Sequence, residues 1–208
     1  MLKWITDYIR YVENRPQDFN EHVKNNVRQI KELISRPNVY YKEADPLAFQ
    51  EFARMFKHRE GVWAGQPIEL NREQKYIAAC ILGIKVWNKK EERFVRWFNE
   101  LDLFVARKWG KDTFIVPLIA YFVGIDKEPS AWCQILAENE GQAKRTFDLI
   151  KNNVKEEPLD CWFTGTGKTS KVIECPETSG MIQYLSGRTK GKDGANPSVA
   201  VVNEAHEI

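Results

Sequence analysis

The 208-residue chain has no long hydrophobic run, no excess of one charge and no clustering of cysteine or histidine. Its longest apolar stretches, Tyr76–Ile84 and Phe114–Val123, fall well short of the roughly 20 residues that span a bilayer. Charges interrupt the opening MLKWITDYIRYVEN too often for a secretion signal. These absences predict a soluble intracellular protein with no membrane association. With 31 basic and 29 acidic residues the net charge is +2, so no global field draws the chain onto nucleic acid. A local patch would have to do so, and Arg188–Lys192 (RTKGK) reads first as a solvated loop. The four cysteines, Cys80, Cys133, Cys161 and Cys175, show neither CxxC spacing nor metal-ligand pairing with the three histidines. Cys80 and Cys133 sit in apolar runs and read as small core residues in a reducing compartment.

What is present is enough apolar content, 43%, for one sizeable core. The first hundred residues read as helices. Trp4, Ile5, Tyr8, Ile9 and Val12 recur at helical spacing, as do Val23, Val27, Ile30, Leu33 and Ile34 up to Pro37. Pro46 opens a third run carrying Leu47, Phe49, Phe52, Ala53 and Phe56. After a turn-rich stretch, Gly61–Pro67, Asn71 and Gln74 form a capping-box pattern for a helix through about Val86. The aromatic-rich Val86–Phe98 region (Trp87, Phe94, Trp97, Phe98) is expected to pack this helical segment onto a sheet.

Beyond Glu100 the pattern changes. Leu101–Ala106 is a strand candidate, Thr113–Phe122 a helix, Trp132–Ala137 a strand and Glu140–Val154 a helix. Lys171–Glu174, Met181–Leu185 and Ser198–Val202 read as further strands. Strands alternating with helices at this spacing predict right-handed crossovers and a parallel sheet.

Two Gly-Lys turns compete as phosphate-binding loops. The first is Val105-Ala-Arg-Lys-Trp-Gly-Lys-Asp-Thr113 and the second Trp162-Phe-Thr-Gly-Thr-Gly-Lys-Thr-Ser170. Both lack the first glycine of GxxxxGK[ST], and the second is the better string. A phosphate loop, however, needs a strand that delivers backbone N–H groups to the phosphates and a helix N-terminus directly after it. The first turn has that setting, with LDLFVA before it and a helical run after it in which Pro117 is near enough to the start to be tolerated, whereas EEPLD before the second is a poor strand. The second is followed by SKVIECPE, broken at Pro176, and reads as a hairpin turn. Roughly 90 residues after the first loop, Ser198–Ile208 (SVAVVNEAHEI) is an apolar strand ending in Asn-Glu-Ala-His. It resembles the Walker B strand of helicase-like ATPases, where one carboxylate holds hydrated Mg²⁺ and the next orients the attacking water.

Taken in order, Ala64–Leu70 with Gln74 and Gly83, Phe104–Lys111, Ala137 with Gln142 and Ala143, and Asp193–Ser198 with Val199–His206 resemble four segments of the bacteriophage terminase large-subunit family. The family's corresponding patterns are AGxPIxLxxWQ, FVARKNGKS, a strand and helix with a QA pair, and DGxNPSxxxxDExH. The resemblance is to the N-terminal ATPase domain of the lambdoid, tailed-phage type and spans essentially residues 5–208. It implies an α/β fold: a P-loop NTPase (ASCE-type) parallel-sheet core with a helical N-terminal segment, C-terminally truncated. Residues 1–99 would be the helical segment and 100–208 the ATPase core up to Walker B, without the family's nuclease domain or nuclease site.

The resemblance also implies an ATPase that drives viral dsDNA into procapsids in the host cytoplasm, with ATP and Mg²⁺ as cofactors. Its partners would be the portal protein and the small terminase subunit, with a ring forming only on the portal. Arg107, Lys108, Trp109, Gly110, Lys111, Asp112 and Thr113 would hold the nucleotide, with Lys111 on the β- and γ-phosphates. Arg107 would act as an arginine finger and Glu204 as the catalytic carboxylate. Gln74 matches the glutamine that reads adenine, and a plain capping role is an equal alternative. His206 is either a coupling residue or a surface histidine.

Three positions depart from the family. Asp112 stands where a Ser or Thr hydroxyl ligates the metal, Asn203 stands for the Walker B aspartate, and Trp109 replaces a small or polar residue. One acid has in effect moved from strand to loop. Asp112 and Asn203 then serve either as a rearranged metal site or as the mark of impaired hydrolysis. Other readings are a superfamily-two helicase-like ATPase fragment using Lys168 and Thr169, and a non-hydrolysing assembly module of the packaging motor.

Overall fold

The computed structural model describes residues 3–106, 108–126, 130–186 and 197–203. It divides into two compact units, residues 1–51 with 69–105 and residues 52–68 with 106–208.

In the first unit, α1 (Lys3–Glu13) buries Ile5, Tyr8, Ile9 and Val12, the stripe expected from spacing. α2 (Glu21–Ile34) starts where the Asn20 side chain accepts the Val23 N–H, and it buries Val27, Ile30 and Leu33. These side chains meet Tyr76, Ala79 and Ile84 in one cluster. After β1 (Val39–Tyr41), α3 (Ala44–Arg54) carries Pro46 in its first turn, where the missing N–H costs little.

The helix expected through Val86 ends sooner. α4 (Arg72–Ala78) passes into a π-helical turn, Ala79–Gly83, and the chain then extends as β2 (Ile84–Asn88). Gly83 permits the change: a Cβ there would lie 2.4 Å from the Tyr41 ring. β2 pairs antiparallel with β1 and with β3 (Arg93–Arg96), so the supposedly all-helical segment contains a three-stranded sheet. Strands of three to five residues are too short to show a period of two above the noise. The aromatic expectation is half met. Trp97 and Phe98 pack against the helical cluster, but Trp87 and Phe94 are 44% and 48% exposed and meet edge to face.

The second unit is the α/β part. α5 (Lys111–Gly124) is buried almost all round, from Phe114 through Val123. Pro117 lies deeper in this helix than its first turn; it leaves the Thr113 carbonyl without its i+4 donor, and the helix continues past it. β4 (Trp132–Ala137) and α6 (Glu140–Val154) match the sequence expectation residue for residue. With β5 (Val172–Cys175), β6 (Gly180–Ser186) and β7 (Val199–Val202) the sheet order is β5-β6-β4-β7. β6, β4 and β7 run parallel, while β5 is antiparallel to β6 through a short turn at residues 176–179.

Leu101–Ala106 is not a strand: it belongs to neither sheet, and Phe104 is 95% exposed. An apolar run becomes a strand only beside a partner edge, and no described strand pairs with it. The remaining piece, residues 52–68, folds back on itself. Lys57 bridges Pro67, and the His58 N–H bonds the Gln66 carbonyl at 2.9 Å. Ties to the end of α6 fix it: the Lys57 N–H donates to Asn153 Oδ1 at 2.8 Å, and Arg59 donates to Glu156 Oε1 at 2.7 Å and to the Asn152 carbonyl at 2.6 Å.

Candidate nucleotide site

The loop before α5 turns on two left-handed residues, Lys108 with φ 68° and Gly110 with φ 92°. The Trp109 N–H closes the turn on the Ala106 carbonyl at 3.2 Å. Glycine at 110 follows from its φ, which an L side chain adopts only with strain. Gly110 is also the N-cap of α5 and brings no side chain of its own to cap it. The first turn lies at the positive end of a 14-residue dipole, where backbone N–H groups suit an anion. Asp112 and Thr113 lie on this first turn, half-buried, and Trp109 stands edge to face with Phe114 at 6.4 Å between centroids.

The side chains of Lys111 and Asn203, 92 residues apart, meet: Lys111 Nζ donates to Asn203 Oδ1 at 2.7 Å. Asn203 follows β7, and its N–H bonds the Leu136 carbonyl at 2.9 Å, which fixes the residue beside the C-terminal end of β4. Its Nδ2 donates to Thr146 Oγ1 on α6 at 3.3 Å. Ligands of parallel sheets characteristically bind at this carboxyl end of the strands.

Asp112, Thr113 and Val116 also line a cavity of about 90 Å³, together with Lys57, His58, Arg59, Glu60, Ile68, Leu149 and Asn153. Its walls are apolar at Ile68, Val116 and Leu149 and polar along 57–60. The Arg59 guanidinium at its edge holds the Glu156 carboxyl below the usual carboxylate range, chiefly by the direct hydrogen bond and despite some opposing desolvation. Arg59 Nε is buried and has no hydrogen-bond partner among the described residues.

Gln74 lies in the first unit, 3% exposed. Its Oε1 accepts the Asn71 N–H at 3.0 Å and its N–H donates to Asn71 Oδ1 at 2.8 Å, so the capping box is complete. The second Gly-Lys string is a turn: Thr164 bridges Glu174, the Ser170 N–H bonds the Gly167 carbonyl, and β5 rather than a helix follows. Lys168 and Thr169 therefore stand at no helix N-terminus. Arg107, Glu204 and His206 lie outside the described residues, as does Arg188–Lys192.

Among the described residues no helix is long and apolar enough to cross a membrane, and no group of three or more His, Cys, Asp and Glu stands ready to hold a metal. All four cysteines are free, and burial raises the Cys80 and Cys133 thiols to about 12, which suits packing and not reactivity. Sequence reasoning missed Thr146 and the 57–60 segment. Thr146 had a faint signal, a hydroxyl in the apolar stripe Ala143, Phe147, Ile150; the 57–60 segment had none.

Residues 74–208 match the family model described as terminase large subunit, ATPase domain. The chain belongs to that family. Among solved structures it is similar to the crystal structure of the HK97 bacteriophage large terminase, with a TM-score of 0.60 and 21% identity over 78% of this chain. At that identity the likeness establishes the fold, a mixed α/β terminase ATPase fold with a parallel-containing sheet. The chain spans about a third of the length of that terminase, 32% of it. Comparison with curated proteins found no match.

Proposed function

We propose that this terminase ATPase domain binds ATP at Ala106–Thr113, and that it does so as part of a motor packaging viral dsDNA into procapsids. The observation that carries the reading is the hydrogen bond from Lys111 to Asn203. It links the Gly-Lys turn that opens a helix with the strand end that resembles Walker B. Lys111 would leave Asn203 for the β- and γ-phosphates, the backbone of Lys108–Lys111 would cradle them, and Trp109 would flank the nucleotide. Arg107 and Glu204 are the proposed arginine finger and catalytic carboxylate. The cavity beside Thr113 and Val116, apolar-walled with polar edges, suits the nucleoside end. Gln74 is better explained by its capping box, in which both its side chain and its N–H are engaged.

Mg²⁺ fits the donors in kind: Asp112, Thr113 and, through Oδ1, Asn203 can each offer an oxygen. It would be held largely through phosphates and waters, as this ion usually is, and would neutralise charge on the phosphates. With an amide at 203 in place of a carboxylate, hydrolysis is expected to be slow. Portal, procapsid and small terminase subunit are the proposed partners, in the host cytoplasm.

Nucleotide titration with Lys111→Ala beside the wild type tests the reading. Wild type should bind ATP in Mg²⁺, and the variant should lose about a hundredfold in affinity, the scale of a charge-assisted phosphate contact. Equal binding by the two proteins sinks the loop assignment. Turnover of about 10 s⁻¹, ordinary for enzymes, would refute impaired hydrolysis.

A further inference from the structure

Thr146 sits on the face of α6 that packs inward, among Ala143, Phe147 and Ile150, and is 3% exposed. Valine would fill the same space without a polar atom, so packing does not call for the hydroxyl. That hydroxyl accepts the Nδ2–H of Asn203 at 3.3 Å while Lys111 donates to Oδ1 of the same amide at 2.7 Å. An ammonium can only donate, so the atom facing Lys111 must be the oxygen, and the nitrogen is then left needing an acceptor. Thr146 is that acceptor.

We propose that Thr146 is a positioning residue: it holds the Asn203 amide with its oxygen toward the nucleotide loop, which lets a neutral side chain stand where the family has a carboxylate. The inference rests on the phosphate-loop reading. A carboxylate presents an oxygen whichever way it turns. An amide does not, because a half-turn about χ2 replaces the oxygen with an NH₂ that repels a hydrated cation. Lys111 restrains that rotation while it rests on Asn203. Once Lys111 moves to phosphate, the hydrogen bond to Thr146 is the side-chain restraint that remains among the described residues. Asn203 and Thr146 therefore form one device, and aspartate at 203 would make the hydroxyl dispensable for orientation.

The test is the Mg²⁺ coupling of ATP binding, the ratio of Kd in EDTA to Kd in Mg²⁺, read by titration of the whole chain. Thr146→Val should cut the ratio about 5- to 10-fold, the scale of one buried hydrogen bond, with the EDTA Kd unchanged. Thr146→Ser should restore it to within about twofold. In an Asn203→Asp background Thr146→Val should change it less than about twofold. If the valine variant fails to fold, Thr146→Ala against Thr146→Ser carries the same comparison. The proposal is overturned if the ratio is untouched by Thr146→Val, if Kd falls off equally with and without Mg²⁺, if the loss persists in the Asn203→Asp background, or if wild type shows no Mg²⁺ coupling. ATP binding that ignores Lys111→Ala would remove the loop reading and this proposal together; Lys111-dependent binding with a silent Thr146→Val removes the proposal alone.

Discussion

The two Gly-Lys turns carry the same dipeptide, yet they fold into different things. Gly110 is left-handed and starts a 14-residue helix; Gly167 has open space around it and ends in a tight turn before an antiparallel strand. In the second turn the demanding glycine is Gly165, with φ 73° and a Cβ position only 2.5 Å from the Val172 carbonyl. The two turns thus differ in what the backbone does after the lysine, and the residue letters alone do not decide it.

The sharpest way to break this contrast is to swap the lysines' fates. Lys168→Ala is expected to leave ATP affinity within about twofold of wild type, against about a hundredfold loss for Lys111→Ala. A larger effect at Lys168 would move the site to the second turn. Next come the glycines. Gly165→Ala should lower stability by about 2 kcal/mol, because left-handed strain and a backbone clash add, yet spare nucleotide affinity. Gly110→Ala should cost about 1 kcal/mol and weaken ATP binding as well, and Gly167→Ala should be near neutral in both. Denaturant melts paired with nucleotide titration check all three, and an affinity loss at Gly165 without loss at Gly110 would reverse the assignment.

Smaller still is the effect of pH on the segment 57–60. Glu156 titrates below its ordinary value because Arg59 bonds its charged form. A carboxyl whose folded pKa is depressed adds stability that is complete above its unfolded pKa and disappears as pH falls through the folded one. Wild type should therefore outlast Glu156→Gln at neutral pH and lose that margin at acid pH; since the pair is partly exposed, the margin is well under the cost of a core substitution. Parallel Tm curves for the two proteins across the acid range would contradict this.

Much of the second unit was legible. β4 and α6 were readable to the residue because β4 is apolar at every position but Gln134, as suits a buried parallel strand, and α6 has an Asn cap and an apolar stripe of Ala143, Phe147, Ile150 and Val154. The first unit was legible only in its helices, since helical spacing repeats over several turns while three short strands do not repeat at all. Leu101–Ala106 misled for the converse reason: its composition suits a strand, and strand formation depends on a neighbour that composition cannot supply. At the candidate site, Gly110, Lys111 and Asn203 were singled out from sequence because each lies in a contiguous motif. Thr146 and the 57–60 segment were not, because each matters only through what lies across from it.

By itself, then, the sequence determined the family, the helix that follows the loop, and the departures at Asp112 and Asn203, since all of these are written in contiguous residues. Tertiary structure decided which Gly-Lys turn meets the end of β7, and that the Asn203 amide is held by a threonine on α6. Those outcomes depend on pairings between residues far apart in the chain, and a hydrogen bond across 92 positions leaves no local trace.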